Sequence, residues 1–358
     1  MQLYSLLDKN LTMAEMEDSF GSNTCRCTGY RPIMDTVKSF AIDASAELCD
    51  ADEDLCACKN IQKDFERKCS TGSDDSDWSV VDELAIAPKN TDIIEFHFGV
   101  DTTQKQKYMK VYSEDQIFQT LKQVSLDSYM LLDGNTSKGV LGIYEDLPKL
   151  VIDIRDVNSL KQYEFDQNLL LGANMTMQDC ITLFKDLAKT RTDFTYLTHF
   201  VKHMLLIAHI PVRKIGSLAG NVMIKHKKPD FESDIFVLFA TVGATVTIKN
   251  MNGKKKEMTM PEFLKYDMRG SLIVSFKLPP FGPSHVFRSY KIMPRSQNST
   301  AIVNAGFLLI LNSKHIVESA SIVYGNISES FIHATRTEEY LVGKNIFSNT
   351  ALQGAIKL

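Results

Sequence analysis

Two cysteines and two glycine-containing loops are the parts of this sequence whose residue types could do chemistry. Cys25 and Cys27 are separated by one residue, and cysteine thiolates are the usual ligands of iron–sulfur clusters. Because such a cluster needs four protein ligands, this pair is half of a site. Cys56 and Cys58 repeat the spacing. They could complete the site, or they could be solvated cysteines of a linker.

The first loop, residues 133–137, follows an apolar run that ends at Leu132. Small residues let the backbone approach a ligand, and successive N–H groups in a turn can form an anion-binding nest. A carboxylate at Asp133 would repel an anion unless it turned outward or was paired. A plain Asp-Gly turn is the alternative. The candidate ligand-binding residues here are Leu131, Leu132, Asp133, Gly134, Asn135, Thr136 and Ser137.

The second loop, residues 216–221, reads Gly-Ser-Leu-Ala-Gly-Asn and follows an apolar helical pattern that is interrupted at Pro211. Its composition predicts a turn of the same anion-binding kind, or an ordinary surface turn. The glycines are not spaced G-x-G-x-x-G and no Gly-Lys-Ser/Thr follows, so it is neither a Rossmann fingerprint nor a P-loop. The candidate residues in it are Gly216, Ser217, Gly220 and Asn221.

The histidines do not indicate a metal site. His199 and His203 are four residues apart on a predicted helix, but Phe200 stands where a zinc protease has glutamate, and no third ligand is evident. We expect one of the two histidines to pack in the interior and the other to be solvated.

Composition limits the class of protein. The 358 residues are 44% hydrophobic and 23% charged, as in a globular protein of two or three domains. The net charge of −4, without a basic stripe, argues against nucleic-acid binding. No apolar run is long enough to cross a bilayer, and the N-terminus does not read as a signal peptide. We expect a cytoplasmic protein, since Ile356–Leu358 only loosely resembles a peroxisomal signal.

The elements around the cysteines are predicted to be helical. Thr12 and Glu15 form a capping box that starts a helix ending near Gly21, and Pro32 suits the first turn of another helix. Cys25 and Cys27 therefore lie on a tight loop between two helices. Residues 49–90 are acidic and serine-rich without apolar periodicity, which predicts a linker.

Strands and helices after residue 90 must position the two loops. Tyr129–Leu132 is predicted as a buried strand before the first loop, and Tyr196–Ile210 as a long helix before the second. Asn252-Gly253 predicts a hairpin with a type I′ turn. Because strands and helices mix without strict βαβ alternation, the fold class is α+β. Further strands are expected at residues 96–100, 149–154, 272–278, 306–312 and 321–324, and helices after Ser113, after Thr176 and over 336–342.

The segment CRCTGYRP, Cys25–Pro32, resembles the helical [2Fe-2S] domain of the molybdenum-flavin hydroxylases, the xanthine dehydrogenase and aldehyde oxidase family. In that family two cluster ligands come from this loop and two from a C-x-x-C loop just upstream, before the place where this chain begins. The resemblance implies Cys25 and Cys27 as metal ligands of half a [2Fe-2S] site.

Both loops resemble the FAD-binding loops of the same family. Met130–Gly139 resembles the strand and turn around the FAD pyrophosphate, with Asp133 in place of a small apolar residue. The second loop resembles the pattern G-S-x-G-G-N, with Ala219 in place of a glycine.

Three further positions are implied by the resemblance. Asp234 matches an aspartate that contacts the flavin, although a plain helix N-cap is another role for it. Lys291 matches a lysine near the isoalloxazine, and Ile273 an apolar flavin-packing position. Phe263–Asp267 and the uncharged residues 296–298 depart from the NAD-dependent xanthine dehydrogenases. This favours oxygen as electron acceptor and a likeness to insect-type aldehyde oxidases.

The resemblance implies an order of domains. Residues 1–48 would be the end of the [2Fe-2S] domain, 49–90 an acidic linker, 91–282 an FAD-binding domain and 283–358 a C-terminal flavoprotein domain. The family's molybdopterin lies in a later region, so no residue for substrate hydroxylation is expected here. The expected function is an FAD-binding segment that passes electrons from an iron–sulfur cluster to oxygen, in a family that forms homodimers. The alternatives are a cofactor-free subunit-association module and a xanthine dehydrogenase segment that passes electrons to NAD.

Overall fold

The structure is a computed structural model that describes residues 4–20, 25, 27–44, 92–98, 106–123, 128–137, 148–328 and 330–358. The chain divides into two compact units, residues 1–91 and 92–358, which are described separately. The predicted linker and the Cys56–Cys58 pair lie outside the described residues. Within the described ranges, no helix is long and apolar enough to cross a membrane.

The first unit contains a short 3-10 helix, Tyr4–Lys9, followed by α1 (Met13–Ser19) and α2 (Arg31–Lys38). The predicted capping box at Thr12 is confirmed, because its side chain accepts from the Glu15 N–H while the Glu15 carboxylate accepts from the Thr12 N–H. The two helices pack through buried apolar residues, and these are Leu6, Met16, Val37 and Ala41.

The second unit begins with a four-stranded sheet in the order β1-β2-β4-β3. Its strands are β1 (Ile94–Phe98), β2 (Gln106–Lys110), β3 (Tyr129–Leu132) and β4 (Leu150–Asp153), and α3 (Glu114–Lys122) lies between β2 and β3 in the chain. β4 runs parallel to both β2 and β3. The first loop therefore leaves the carboxyl end of an edge strand, beside the end of β4.

A five-stranded antiparallel sheet follows, in the order β5-β6-β9-β7-β8. Its strands are β5 (Tyr163–Asp166), β6 (Asn168–Gly172), β7 (Thr245–Asn250), β8 (Lys255–Thr259) and β9 (Ser271–Leu278). The helices of this region are α4 (Met177–Thr190), α5 (Leu197–Met204), α6 (Ile210–Arg213), α7 (Leu218–Lys227), α8 (Asp234–Thr241) and α9 (Met260–Phe263). Fully buried aromatic side chains, among them Phe200, Phe239 and Phe276, join the helices to this sheet.

The last part of the chain is a four-stranded antiparallel sheet in the order β10-β11-β12-β13, with two helices. The elements are β10 (His285–Ile292), β11 (Val303–Leu311), β12 (Val317–Gly325), β13 (Ile332–His333), α10 (Thr335–Leu341) and α11 (Asn349–Ile356). α8 packs against β11 and β12, so this helix belongs to the cores of both regions.

The α+β class and most predicted elements are confirmed, with three corrections. The helix predicted over Tyr196–Ile210 ends at Met204, and Pro211 lies in the first turn of the separate helix α6. The second loop is not a turn, since α7 begins at Leu218. The hairpin between β7 and β8 forms, but only Gly253 of the Asn-Gly pair has positive φ, so the turn is not type I′.

Candidate functional site

A cavity of about 490 Å³ opens where the first loop meets the start of α7. Its remaining walls are the start of β9 and the turn of residues 267–269 before it. The volume lies in the range of small-molecule and cofactor sites. The cavity is lined by every sequence-predicted ligand residue except Asp234 and Lys291: Leu131, Leu132, Asp133, Gly134, Asn135, Thr136, Ser137, Gly216, Ser217, Gly220, Asn221 and Ile273.

Gly134 allows the two loops to touch. A Cβ atom at this position would lie 1.8 Å from the carbonyl oxygen of Ile215, so any side chain here would force the backbone to shift. The lack of a side chain at Gly134 therefore lets the first loop approach the protein's own backbone at Ile215. Asn135, the next residue, has a φ of 53°, a conformation that asparagine adopts more readily than most residues.

The first loop presents backbone donors. Among the described residues, no acceptor is found for the N–H groups of Gly134, Asn135 and Thr136. All three residues line the cavity. Successive N–H groups without an internal acceptor are what an anion-binding loop requires.

The second loop contributes a helix N-terminus. Ser217 is the N-cap of α7, and its hydroxyl accepts from the Gly220 N–H at 3.3 Å. The N–H groups of residues 218 and 219 donate to the carbonyl oxygens of Met175 and Ala173, at 3.1 and 2.9 Å. These donors are already used, so the segment can favour an anion through the partial positive charge of the helix end and through side chains.

Arg213 has a structural role beside the second loop, because its guanidinium group is already bonded to backbone carbonyl oxygens. The side chain is only 4% exposed, and its Nη1 donates to the carbonyl oxygens of Leu205 and Ile207 at 3.0 and 2.9 Å. These carbonyls lie just after the end of α5, where helix carbonyls lack partners. The guanidinium thereby joins the end of α5 to α6, directly before Gly216.

Asn221 is oriented by Ser233. The Ser233 hydroxyl donates to Asn221 Oδ1 at 2.5 Å and accepts from the Phe236 N–H at 3.0 Å, as the N-cap of α8. With Oδ1 engaged, the Asn221 amide has its Nδ2 donors left for the cavity that the residue lines.

Asp133 is the acidic group beside the open N–H groups. Its side chain is partly buried, and within the described part of the chain its Oδ2 has no hydrogen-bond partner. Burial raises the pKa of Asp133, and the Ser217 hydroxyl opposes that rise by hydrogen bonding to the carboxyl group. The carboxyl group therefore favours the neutral form more than a solvated aspartate does.

The opposite wall contains residues that sequence reasoning did not select. His226 donates from Nε2 to the Tyr266 carbonyl oxygen, 2.8 Å away, and Met223 contributes apolar surface. Arg269 and Asp267 form an exposed ion pair of 2.7 Å at the same wall. Gly220, Met223 and Lys227 recur at helical spacing on α7, so this face would have been found if a helix had been predicted there.

Asp234 and Lys291 lie in a buried polar cluster that is not part of the cavity lining. Lys291 Nζ is 2.6 Å from Asp234 Oδ2, while Oδ1 is 3.0 Å from His203 Nε2 and 2.8 Å from Asn304 Nδ2. Burial alone would raise the pKa of Asp234, but the charge of Lys291 and the hydrogen bond to His203 lower it to about 2. The cluster joins α5 and α8 to the last sheet, and it contains the packed histidine that was expected of the pair.

Cys25 and Cys27 lie between α1 and α2, as predicted. The Cys25 Sγ is 3.1 Å from the Thr28 hydroxyl, and its N–H donates to the Tyr30 hydroxyl at 2.9 Å. Within the ranges that the structure describes, no group of three or more potential metal ligands occurs. Metal binding by Cys25 and Cys27 therefore stays a prediction.

Comparison with protein families gives two matches. Residues 102–281 match the FAD binding domain in molybdopterin dehydrogenase, and residues 288–358 match the CO dehydrogenase flavoprotein C-terminal domain. The first match covers half of the chain and contains both loops and the cavity.

Curated relatives include oxidases and a dehydrogenase. The chain is 28% identical over 370 residues to indole-3-acetaldehyde oxidase of Arabidopsis thaliana, covering 98% of this chain and 26% of that protein. It is 30% identical over 393 residues to a putative aldehyde oxidase-like protein of Oryza sativa subsp. japonica, with 97% and 27% covered. It is 25% identical over 398 residues to xanthine dehydrogenase 1 of Arabidopsis thaliana, with 100% and 28% covered. The chain spans about a quarter of the length of these relatives.

Solved structures share the fold. The cyanide-inactivated Cu,Mo-CO dehydrogenase matches with a TM-score of 0.59 at 20% identity, over 70% of this chain and 84% of that one. Quinoline 2-oxidoreductase from Pseudomonas putida 86 matches with a TM-score of 0.58 at 22% identity, over the same shares. At this identity the likeness concerns the fold alone.

Proposed function

The chain belongs to the molybdo-flavoenzyme family of aldehyde oxidases and xanthine dehydrogenases, and we propose that its cavity holds FAD through the first loop and the start of α7. The observation that carries the proposal is the arrangement of the first loop. Three successive residues whose N–H groups have no acceptor in the described chain line the cavity, beside a helix N-terminus.

The residues present fit a flavin dinucleotide in three respects. The N–H groups of Gly134–Thr136 suit phosphate oxygens, which are strong acceptors. The start of α7 adds the favourable end of a helix dipole, and Asn221 adds amide donors. Apolar side chains on the walls, including Met223, Leu272 and Ile273, suit flat aromatic rings. Asp133 is the exception, since a carboxylate there opposes a diphosphate.

In this proposal the chain's own residues bind, orient and shield the cofactor. The first loop fixes the diphosphate through the backbone, so its position follows from the packing of Gly134 against Ile215. Ser233 fixes Asn221, and the apolar wall excludes water from the cofactor. FAD, when bound, supplies the capacity to take up electrons from an iron–sulfur cluster and release them to an acceptor.

The sequence patterns support two more specific proposals, on the electron acceptor and on the type of the complete protein. We propose oxygen as the acceptor, because residues 263–267 and 296–298 depart from the pattern of the NAD-dependent enzymes. We also propose that the complete protein is an aldehyde oxidase type of oxidoreductase with the domain order given above. Contact of Asp234 or Lys291 with the flavin stays a prediction. In the present structure both side chains are engaged with each other.

The visible absorption spectrum of the purified chain tests this function directly, with the released cofactor identified and iron assayed. We expect a flavin band with FAD as the released compound. Flavin without iron would leave Cys25 and Cys27 as an unfilled half-site, and flavin with iron would show that they had found further ligands. A folded chain that takes up no flavin from excess FAD would refute the proposal. It would favour the cofactor-free association module, which the unpartnered oxygen of Asp133 also suits.

A matched pair of variants connects the flavin to this cavity. Gly220 lines the cavity, and a Cβ atom there would meet only the Ser217 hydroxyl, at 3.1 Å. Gly220→Leu should therefore fold, fill the cavity and lose FAD. Gly282 is outside the cavity lining and a Cβ atom there has nothing within 4 Å, so Gly282→Leu should keep FAD. Equal flavin content in the two variants would place the flavin elsewhere.

A further inference from the structure

Asp133 stands where the proposed site needs positive charge or neutral donors. It directly precedes the open N–H groups of Gly134–Thr136 and lines the same cavity. We propose that Asp133 sets the affinity of the cavity for the flavin diphosphate through its own protonation: the neutral carboxylic acid admits the diphosphate and the carboxylate repels it. This inference rests on the proposed function, and it makes FAD binding weaken as the pH rises.

The position of the carboxyl group favours the neutral form. Oδ2 is enclosed, and no hydrogen-bond donor for it is found among the residues that the structure describes. A charged carboxylate with an unpartnered oxygen in a partly buried place is costly, whereas a protonated one loses far less on burial. A carboxylic acid can also donate a hydrogen bond, which a carboxylate cannot.

The surrounding charges do not neutralise Asp133. Arg155 is committed to Asp153, with contacts of 2.6 to 3.1 Å, and Lys161 is exposed to solvent, which screens it. Asp153, at the end of the neighbouring strand, adds a like charge. Burial has the largest effect and raises the pKa of Asp133. The Ser217 hydrogen bond and then Lys161 lower this pKa, Asp153 raises it, and Arg155 has the smallest effect and lowers it.

The pH dependence has a definite sign. If the diphosphate binds the neutral acid, then above the pKa of Asp133 each binding event takes up one proton. The dissociation constant for FAD then rises by up to about tenfold per pH unit. The diphosphate keeps both charges throughout this range. His226 also lines the cavity, so the variants must separate the contribution of Asp133 from that of other residues in the wall.

The experiment measures the dissociation constant of FAD by fluorescence with the deflavinated full chain, between pH 5.5 and pH 8. Asp133→Asn keeps the shape and a donor without the charge. Asp133→Ala removes the donor as well. Asp166→Asn is the matched control, since Asp166 is exposed on β5 and does not line the cavity. Far-UV circular dichroism verifies that each variant is folded.

We expect the wild type and Asp166→Asn to bind at least about tenfold more weakly at pH 8 than at pH 5.5. Asp133→Asn should have a nearly flat profile and should bind tighter than the wild type at pH 8, by a factor that becomes smaller as the pH falls. Asp133→Ala should be equally flat but weaker, and it carries the test if the asparagine variant does not fold. A pH profile that survives in both variants would overturn the inference, because it would come from a group other than Asp133. If neither the wild type nor any variant binds FAD at any pH, both the proposed function and this inference are wrong.

Discussion

Removal of Lys291 should leave a buried, uncompensated charge. The ammonium group is the partner of Asp234 Oδ2 at 2.6 Å, and the two side chains are 2% and 6% exposed. Lys291 also donates to the Leu206 carbonyl oxygen at 3.2 Å. Lys291→Met keeps most of the side-chain volume and removes the charge. The remaining hydrogen-bonding neighbours of Asp234 would be His203 and Asn304.

The size of the effect follows from the pKa of Asp234. This pKa falls from the ordinary 3.8 to about 2 in the folded protein, despite a burial that by itself would raise it. Such a depression corresponds to about 2 kcal/mol of stabilisation of the charged form, shared between Lys291 and His203. Loss of one partner from a buried ion pair costs about 3–5 kcal/mol, because the remaining charge stays desolvated. We expect Lys291→Met to lower the free energy of unfolding by an amount in this range at pH 7.

The stability that Asp234 contributes also depends on pH, and it decreases as the pH falls. Because the folded-state pKa of Asp234 is depressed, the stabilisation is present above about pH 4 and is lost as the pH falls from about 4 to 2. The wild type should therefore lose stability in this window. Asp234→Asn, which cannot titrate, should lose less there.

Urea unfolding followed by far-UV circular dichroism measures these differences. The set is Lys291→Met, Asp234→Asn and the double variant, at pH 7. Lys277→Met is the control, because Lys277 pairs with Glu257 at the surface, with 33% and 44% of the side chains exposed. An exposed pair of this kind contributes about 0–1 kcal/mol.

The double variant shows whether Lys291 and Asp234 stabilise the fold as a pair. With both charges removed, part of the stability should return, and the interaction energy between the two sites should be at least about 2 kcal/mol. If the two single effects add within about 0.5 kcal/mol, Lys291 and Asp234 do not act as a pair. A loss in Lys291→Met no larger than in the surface control would refute the argument in the same way.

Three further variants test the architecture of the cavity. Gly134→Ala should lower the free energy of unfolding by about 1–3 kcal/mol, because its Cβ would meet the Ile215 carbonyl, and a urea midpoint equal to the wild type's would contradict this packing. Ser217→Ala should cost about 1 kcal/mol through loss of the α7 N-cap, seen as a shift of the urea midpoint, and no shift would mean that the cap is dispensable. Arg213→Met should cost more than about 2 kcal/mol, since several carbonyls lose their donor, and it should also reduce bound FAD in the absorption spectrum; a stable variant with full flavin would exclude a positioning role.

Local sequence signals were sufficient where a helix start or a strand depends on neighbouring residues. The caps at Thr12, Ser113 and Thr176 were predicted from residue type and spacing, and the structure confirms each of them. The strand Tyr129–Leu132 was likewise predicted from its apolar run. These signals act over three or four residues, so no knowledge of the tertiary fold is required.

The second loop shows where local reasoning failed. Glycine and serine in residues 216–221 favour a turn, but Ser217 caps a helix and α7 packs Leu218 and Val222 into the core. Tertiary burial outweighs weak local propensity. For the same reason the wall formed by His226 and Met223 was not anticipated.

By itself the sequence predicted the α+β class, the helix caps at Thr12, Ser113 and Thr176, and the place of Cys25 and Cys27 between two helices, because each depends on residue type and short spacing. Only the tertiary structure decided that Gly134 packs against Ile215 and that the charges of Asp234 and Lys291 neutralise each other in the interior. It also decided that Asp133 lines the cavity while one of its carboxyl oxygens is enclosed and has no partner among the described residues. The first two are contacts between residues 81 and 57 positions apart. The free energy of burying a charge depends on which distant group lies beside it.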